Sequence, residues 1–405
     1  MVKGRVAYRD FRRRWARGRW VAATATLLWV GLASAQPTPT LPAGASPGAA
    51  SAPPGPRWMG ATRVNGRLQA SDIGLVINTA DPYSVQVGEY YIHKRKLAPE
   101  QVLRLLLPIK PTLDRAEFET LRMAIGRHFG PATQALALAW TAPYAVDCSS
   151  ITGALAMGLD TEFCKQTCGA SRPSPYFNSA SARPYDDFGW RPSMLLAAPS
   201  VEQALALIDR GVAADSALVR RGRPAVSVML LATDDAPRRV RMALYPPAGP
   251  LAGSGVDVRV QPAAALAQAR QVLMVMTGSV NVPADSPIDW VAGGLGDHLT
   301  SFGGALSPGH GQGTALDWIA SGATASHGAV TEPCNHLQKF PHPQVLLLHY
   351  LQGSTALEAY WKSVAWPQQA LFVGEPLAAP FAPSAPFTPS APSAPFPPFA
   401  PAMPR

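Results

Sequence analysis

Charge is scarce in this chain of 405 residues. Only 15% are Asp, Glu, Lys or Arg, against about a quarter in ordinary globular proteins. The net charge of +9 is concentrated at the start: residues 1–35 hold eight bases and one acid, and the rest of the chain holds 27 bases and 25 acids. So balanced a body excludes a protein that tracks phosphate backbones, and no nucleic-acid partner is expected. The chain has no G-x-S-x-G nucleophile elbow and no P-loop Lys-Ser/Thr. It also lacks an uncharged apolar run of 18 residues, so no membrane span is expected after leader removal. Cysteine is rare, with four residues. Disorder is excluded in turn, because 47% of the residues are hydrophobic.

What is present begins with an export signal. Lys3, Arg5, Arg9, Arg12, Arg13, Arg14, Arg17 and Arg19 precede an apolar run, Val21 to Leu32, and then Ala33-Ser34-Ala35. A basic region, an apolar core and a small-x-small cleavage site make a secretory signal over residues 1–35. The pair of arginines lacks a preceding Ser/Thr, which favours general secretion over a twin-arginine route. The expected location is periplasmic or extracellular, with the mature chain starting at Gln36.

Residues 36–65 read as a linker, because Gln36 to Pro56 is Pro/Ala/Ser/Gly-rich and uncharged. Residues 380–405 read as a low-complexity tail. Proline recurs there at every third position from 380 to 404, the period of a polyproline II helix. Between them, residues 66–379 alternate apolar runs with helical patterns. Ile73–Asn78, Val102–Leu107, Gln134–Trp140, Met194–Ala197, Ala225–Ala232, Gln271–Thr277, Ala323–Val330 and Ala370–Val373 read as strands. Helical stretches fall at Ser84–Lys94, Ala116–His128, Val201–Arg210, Thr314–Ala320, Gln344–Leu351 and Thr355–Ser363. Uninterrupted apolar strands separated by helices predict one α/β domain: a doubly wound, mostly parallel sheet with helices on both faces. Residues 142–192 read as a long insertion or lid.

An even cysteine count in an exported chain predicts disulfides. Cys164 and Cys168, four apart beside Gly169, suit a local bridge, leaving Cys148 and Cys334 for a long-range staple. Two competing readings use Cys334, as a metal ligand with His336 and His342 and optionally Glu332, or as a free nucleophile. The spacing matches no closed zinc pattern, and no metal or cofactor is expected.

In an open α/β sheet, ligands bind beyond the carboxyl ends of the strands. That rule selects Asp81, Tyr144, Asp234, Ser279 and the stretch after Val330. With Ser301 from the polar cluster Asp297-His298-Leu299-Thr300-Ser301, the residues Asp81, Tyr144 and Ser279 are expected to converge on one ligand site. His298 is a candidate general base, and its alternative is a structural histidine. Gly303-Gly304 and Gly309-His310-Gly311 read as a loop entering a helix, able to cradle an anion or simply mobile.

Several strings (INTADPYSVQVGEYYIHKRKL, WTAPYAVDCSSITGALAMG, SPYFNS, GDHLTSFGG, SGATASHGAVTEPC, KFPHP and LFVGEPLAAPF) together resemble an uncharacterised family of exported bacterial proteins, over about residues 70–382. The end of this module is also distantly similar to the gingipain and caspase-like cysteine peptidases, through Gly374-Glu375-Pro376 after the last strand. That second resemblance implies a caspase-like sheet and a His/Cys dyad. Gly278-Ser279 stands where the His-Gly would be, leaving His310, His327 and Cys334 as its weak candidates. The resulting expectation is an exported binding module for a peptide or envelope protein partner, with a cysteine peptidase-like hydrolase as the alternative.

Overall fold

The computed structural model describes residues 56–219, 225–283 and 287–383. The expected signal, the first part of the linker and the tail beyond residue 383 lie outside the described residues. In chain order the first part of the body runs β1 (Ile73–Asn78), α1 (Pro82–Arg95), β2 (Val102–Leu105), β3 (Thr112–Leu113), α2 (Arg115–His128) and β4 (Ala135–Leu138). It continues through β5 (Ala145–Val146), β6 (Ser149–Ser150), α3 (Ile151–Met157), α4 (Pro184–Phe188), β7 (Ser193–Leu195) and α5 (Val201–Ala214). The second part runs β8 (Val226–Ala232), β9 (Gly249–Leu251), β10 (Val256–Pro262), β11 (Val272–Thr277) and β12 (Trp290–His298). It ends with α6 (Ala315–Ala320), β13 (Ala325–Ala329), α7 (Pro343–Leu351), α8 (Ala356–Ser363) and β14 (Ala370–Gly374).

Eleven strands form one sheet in the order β2-β1-β4-β7-β14-β13-β12-β11-β8-β10-β9. β13/β14 and β10/β9 pair antiparallel. β1, β4, β11 and β14 are buried along their whole length. Strands covered on both faces have no polar side to alternate with, which is why they read as continuous apolar runs. The expected doubly wound α/β class holds. One helical layer contains α1, α5 and α6, and the other contains α3, α7 and α8.

β14 pairs antiparallel with β13 and divides the sheet into a first half, β2-β1-β4-β7, and a second half that begins at β13. α1 and α5 run back from the carboxyl ends of β1 and β7, and their far ends meet the chain on either side of this pair: Arg95 binds Glu375 just after β14, and Arg210 donates to the Ile319 and Ala323 carbonyls just ahead of β13. β13 therefore starts at the edge where β1 and β7 start, and the carboxyl ends of both halves open at one edge, as the parallel reading requires. The expected site also needed Asp81 beside Ser279, but β1 and β11 stand six places apart in the sheet, about 29 Å at about 4.8 Å per strand, so order along the sheet keeps the two apart.

Local details follow from packing. α5 continues past Gly211, where the pattern suggested a stop. A Cβ there would lie 2.3 Å from Glu375 Cγ, so glycine serves a close approach within the helix. β12 was not among the expected strands. Its glycines interrupt the apolar run because Gly294 lies against Trp290 and Gly296 against Trp318. The 142–192 stretch carries β5, β6, α3 and α4 and is tied down by both disulfides. These join Cys148 to Cys164 and Cys168 to Cys334, in place of the expected Cys164–Cys168 and Cys148–Cys334 pairs. Residues 57–65, placed in the linker by composition, hydrogen-bond to Gln344, Gln352 and Asn178. At the other end, Phe381 packs edge-on against Tyr350 at 6.2 Å, so the first residues of the expected tail belong to the body.

Candidate functional site

The second half of the sheet gathers the polar chemistry. Asp297 and His298 are the last two residues of β12, and successive side chains of a strand point to opposite faces. Asp297 enters the α8 side, where it meets Arg241 and His327. His298 enters the α6 side, where it meets Trp318.

On the α8 side, the Arg241 guanidinium donates to the Asp297 carboxylate and, through Nη2, to the Thr277 carbonyl at 2.6 Å. His327 Nδ1 lies 3.2 Å from the other Asp297 oxygen. All three residues are fully buried. Burial alone would raise the Asp297 carboxyl, but Arg241 and His327 outweigh it and hold the group below the usual carboxylate range. Tyr360 closes the cluster by donating to the Gly296 carbonyl at 3.0 Å and the Ala325 carbonyl at 3.2 Å. His327 Nε2 has no partner, and the ring is flanked by Phe340 and Phe372 at 6.1 and 5.6 Å.

On the α6 side, Trp318 Nε1 donates to His298 Nδ1 at 2.9 Å. Indole N–H is only a donor, so Nδ1 is unprotonated and Nε2 carries the hydrogen. Nε2 then donates to the Gly313 carbonyl at 3.0 Å. Burial pushes the ring down to about 4. With both nitrogens engaged, His298 has no free position for proton transfer.

Above these clusters the strand ends form a pocket of about 270 Å³, lined by Arg238, Thr300, Ser301, Glu332, Asn335 and Phe340 among others. Arg238 is held by Asp235 at 2.8 Å. Glu332 accepts from the Cys334 backbone N–H at 2.8 Å through one oxygen. Cys334 and Asn335 both take left-handed backbone angles, φ 55° and 48°, which turns the chain back across the pocket. Phe340 lines the pocket on one side and covers His327 on the other. Gln312 organises the facing loop. Its side-chain oxygen accepts from the Thr300 hydroxyl and from the Ser301 and Phe302 amides at 3.0 and 3.2 Å. Those amides are therefore not available to an anion. Gly303 and Gly304 serve contact with β13, since a Cβ on Gly328 would fall 2.0 Å from the Gly303 carbonyl carbon.

The remaining sequence candidates lie apart. Asp81, far along the sheet beyond β1, is the N-cap of α1 and accepts from Tyr83 N at 3.0 Å. Tyr144 is buried beyond β4, its backbone N–H bound to the Pro111 carbonyl. Ser279 is on the pocket's edge of the sheet but spends its hydroxyl on the Asn281 carbonyl at 2.6 Å. His310 is exposed and stacks on Phe302. Cys334 lines the pocket, but its sulfur is bonded to Cys168, which corrects its reading as a free nucleophile. No group of three His, Cys, Asp or Glu gathers for a metal among the described residues. Sequence reasoning named Glu332 only as an optional metal ligand beside Cys334, and did not single out Arg238, Arg241 or Phe340. Arg241 sits in an arginine-rich string that reads as surface, and nothing local marks it as buried.

No family model matches the chain, and no curated protein does. Among solved structures, the Arg-specific cysteine proteinase gingipain R (RgpB) is similar at 10% identity and a TM-score of 0.37, over 78% of each chain. The complex of the Porphyromonas gingivalis RgpB pro- and mature domains gives 9% and 0.35, over 78% of this chain and 79% of that one. At these values the likeness is distant and carries no argument about activity.

Proposed function

We propose that this is an exported binding module whose pocket, at the carboxyl edge of the second sheet half, takes one residue of a polypeptide partner. One observation carries the reading: polar groups line an open pocket while the groups able to do covalent chemistry are committed elsewhere. The four cysteines are in disulfides, His298 has both nitrogens engaged, and His327 is buried behind Phe340. The pocket offers Arg238 and Glu332 of opposite charge, the Ser301 hydroxyl, and the apolar walls Leu299 and Phe340. Its volume suits a side chain rather than a whole cofactor. Disulfides persist in oxidising compartments, which supports a periplasmic or extracellular setting.

A hydrolase is the second reading, favoured by the Asp297–His327 pair, which holds an imidazole by one nitrogen and leaves the other unpartnered. Two measurements separate the readings. A fluorophosphonate probe and a thiol alkylator should both leave the folded protein unlabelled, and labelling of Ser301 would establish the hydrolase instead. In a peptide-array screen, Ser301→Trp should abolish binding and Asp81→Ala, far along the sheet, should not. The reverse pattern would overturn the proposed pocket.

A further inference from the structure

Residues 57–68 cross the α7–α8 side of the body with no helix or strand of their own, and three side-chain amides hold them. Gln344 accepts from Met59 N at 2.6 Å and donates to the Arg57 carbonyl at 3.2 Å. Asn178 accepts from Thr62 N at 3.0 Å and donates to the Gly60 carbonyl at 3.5 Å. Gln352 accepts from Val64 N at 3.0 Å and donates to the Thr62 carbonyl at 3.2 Å. Each amide thus spans the carbonyl of one residue and the N–H two residues on, groups that an extended chain presents on the same side. A primary amide carries its donor and acceptor side by side, so each takes the place of a neighbouring strand. Asn65 N and Leu68 N add bonds to the Ala180 carbonyl at 3.0 Å and to Glu358 Oε2 at 3.2 Å.

These anchors read main chain. No side chain from Arg57 to Arg67 is buried, and Leu68 is the first that is. The floor beneath is polar. Lys362 and Glu358 are fully buried 3.8 Å apart, and Lys362 Nζ, Glu358 Oε1, Tyr176 OH and His349 Nδ1 have no hydrogen-bond partner. Water can solvate such a floor when the segment leaves, while the sites of Leu68 and the half-buried Trp58 on the hydrophobic core are left for an identical segment to refill.

We infer that this groove is a receptor for extended main chain, filled in cis by residues 57–68, and that the partner it fits is the same segment of a second copy. An identical segment reproduces the anchors bond for bond. The segment is preceded by the uncharged Pro/Ala/Ser-rich stretch Gln36–Pro56, and only the short turn Ala70–Asp72 separates it from β1. Reorienting that turn is enough to send the arm to a neighbour, the geometry of arm exchange between protomers. None of the groove residues lines the pocket, so this inference stands independently of the proposed function.

The test uses the full mature chain, held concentrated and warm below its unfolding transition, then sized by light scattering after dilution. A dimer fraction that rises with concentration is expected. A labelled peptide of residues 56–69 should bind, return the dimer to monomer, and bind at least tenfold more weakly to Gln352→Ala, whose side chain is exposed and whose fold is checked by circular dichroism. Monomer at every concentration would overturn the inference. So would a dimer that saturating peptide leaves intact, since another interface would then hold it. Peptide binding without any dimer would overturn the second copy as partner and assign the groove to a foreign chain.

Discussion

The two halves of the sheet use the same carboxyl-end loops differently. Beyond β1, Asn78 closes on the Leu107 carbonyl and the Leu107 amide, and Asp81 caps α1. Beyond β4, Trp140 bonds the Pro143 carbonyl. Each of these polar groups in the first half satisfies backbone at a strand end, turn or helix end. Beyond β11, β12 and β13, polar groups meet across strands instead. Arg241, Asp297 and His327 come from three separate segments, and Glu332, Ser301 and Arg238 open into a pocket. Residues typical of sites are therefore structural in one half and convergent in the other. Residue type at a strand end does not separate the cases, whereas the partner does: backbone for Asn78, Asp81 and Trp140, and one another's side chains for Arg241, Asp297 and His327.

The largest effect that sharpens this contrast should come from Asp297→Ala. It leaves Arg241 buried without its carboxylate, and breaking a buried pair costs about 3–5 kcal/mol. Urea unfolding of the variant should show that loss with an unchanged m-value. The next is a pH effect. The unfolded His298 ring takes a proton near 6.5 and the folded one near 4, so between those values the unfolded state binds more protons. Stability should be full above about pH 6.5 and fall by about 3 kcal/mol toward pH 4. His349, pushed down to about 3 by burial and Lys362, acts in the same direction. Asp297 has the opposite origin, a depressed carboxyl, and its contribution is lost only as the pH falls further. His298→Gln keeps an acceptor for Trp318 and a donor for Gly313 without titrating, so its stability should slope less between pH 6.5 and 4. An unchanged slope would remove His298 as the cause.

Asp81→Ala should cost only about 1 kcal/mol, the value of a helix cap. If it matched Asp297→Ala in the same urea series, the contrast between the halves would fail. The smallest effect should come from ending the chain after Pro383, which keeps Phe381 on Tyr350 and should leave the melting temperature within about a degree. Ending it after Ala379 removes that contact and should lower it measurably.

Legibility followed the range of the interaction. Strands such as β8 and β11 were readable because burial on both faces forces an unbroken apolar run. α1 and α2 were readable because their caps are local, Asp81 to Tyr83 and Asp114 to Glu117. β12 was hidden by glycines whose purpose is to admit Trp290 and Trp318. The pocket was half visible. Ser301 and Cys334 belonged to polar strings, but Arg238, Glu332 and Phe340 gained their meaning only from neighbours distant in sequence.

The sequence by itself determined the α/β class, the pairing of all four cysteines into disulfides as an expectation, and most strands and helices, since each rests on hydrophobic period, composition or a cap within a few residues. The tertiary structure alone decided that β14 runs against β13 and that Cys168 reaches Cys334. It also decided that Asp297 finds Arg241 and that Asp81 lies far along the sheet from Ser279. A local pattern fixes which faces of a strand are buried. It carries no information on strand order, because an apolar run buries equally well at any inner place of a covered sheet, and order is what chooses which loops are neighbours.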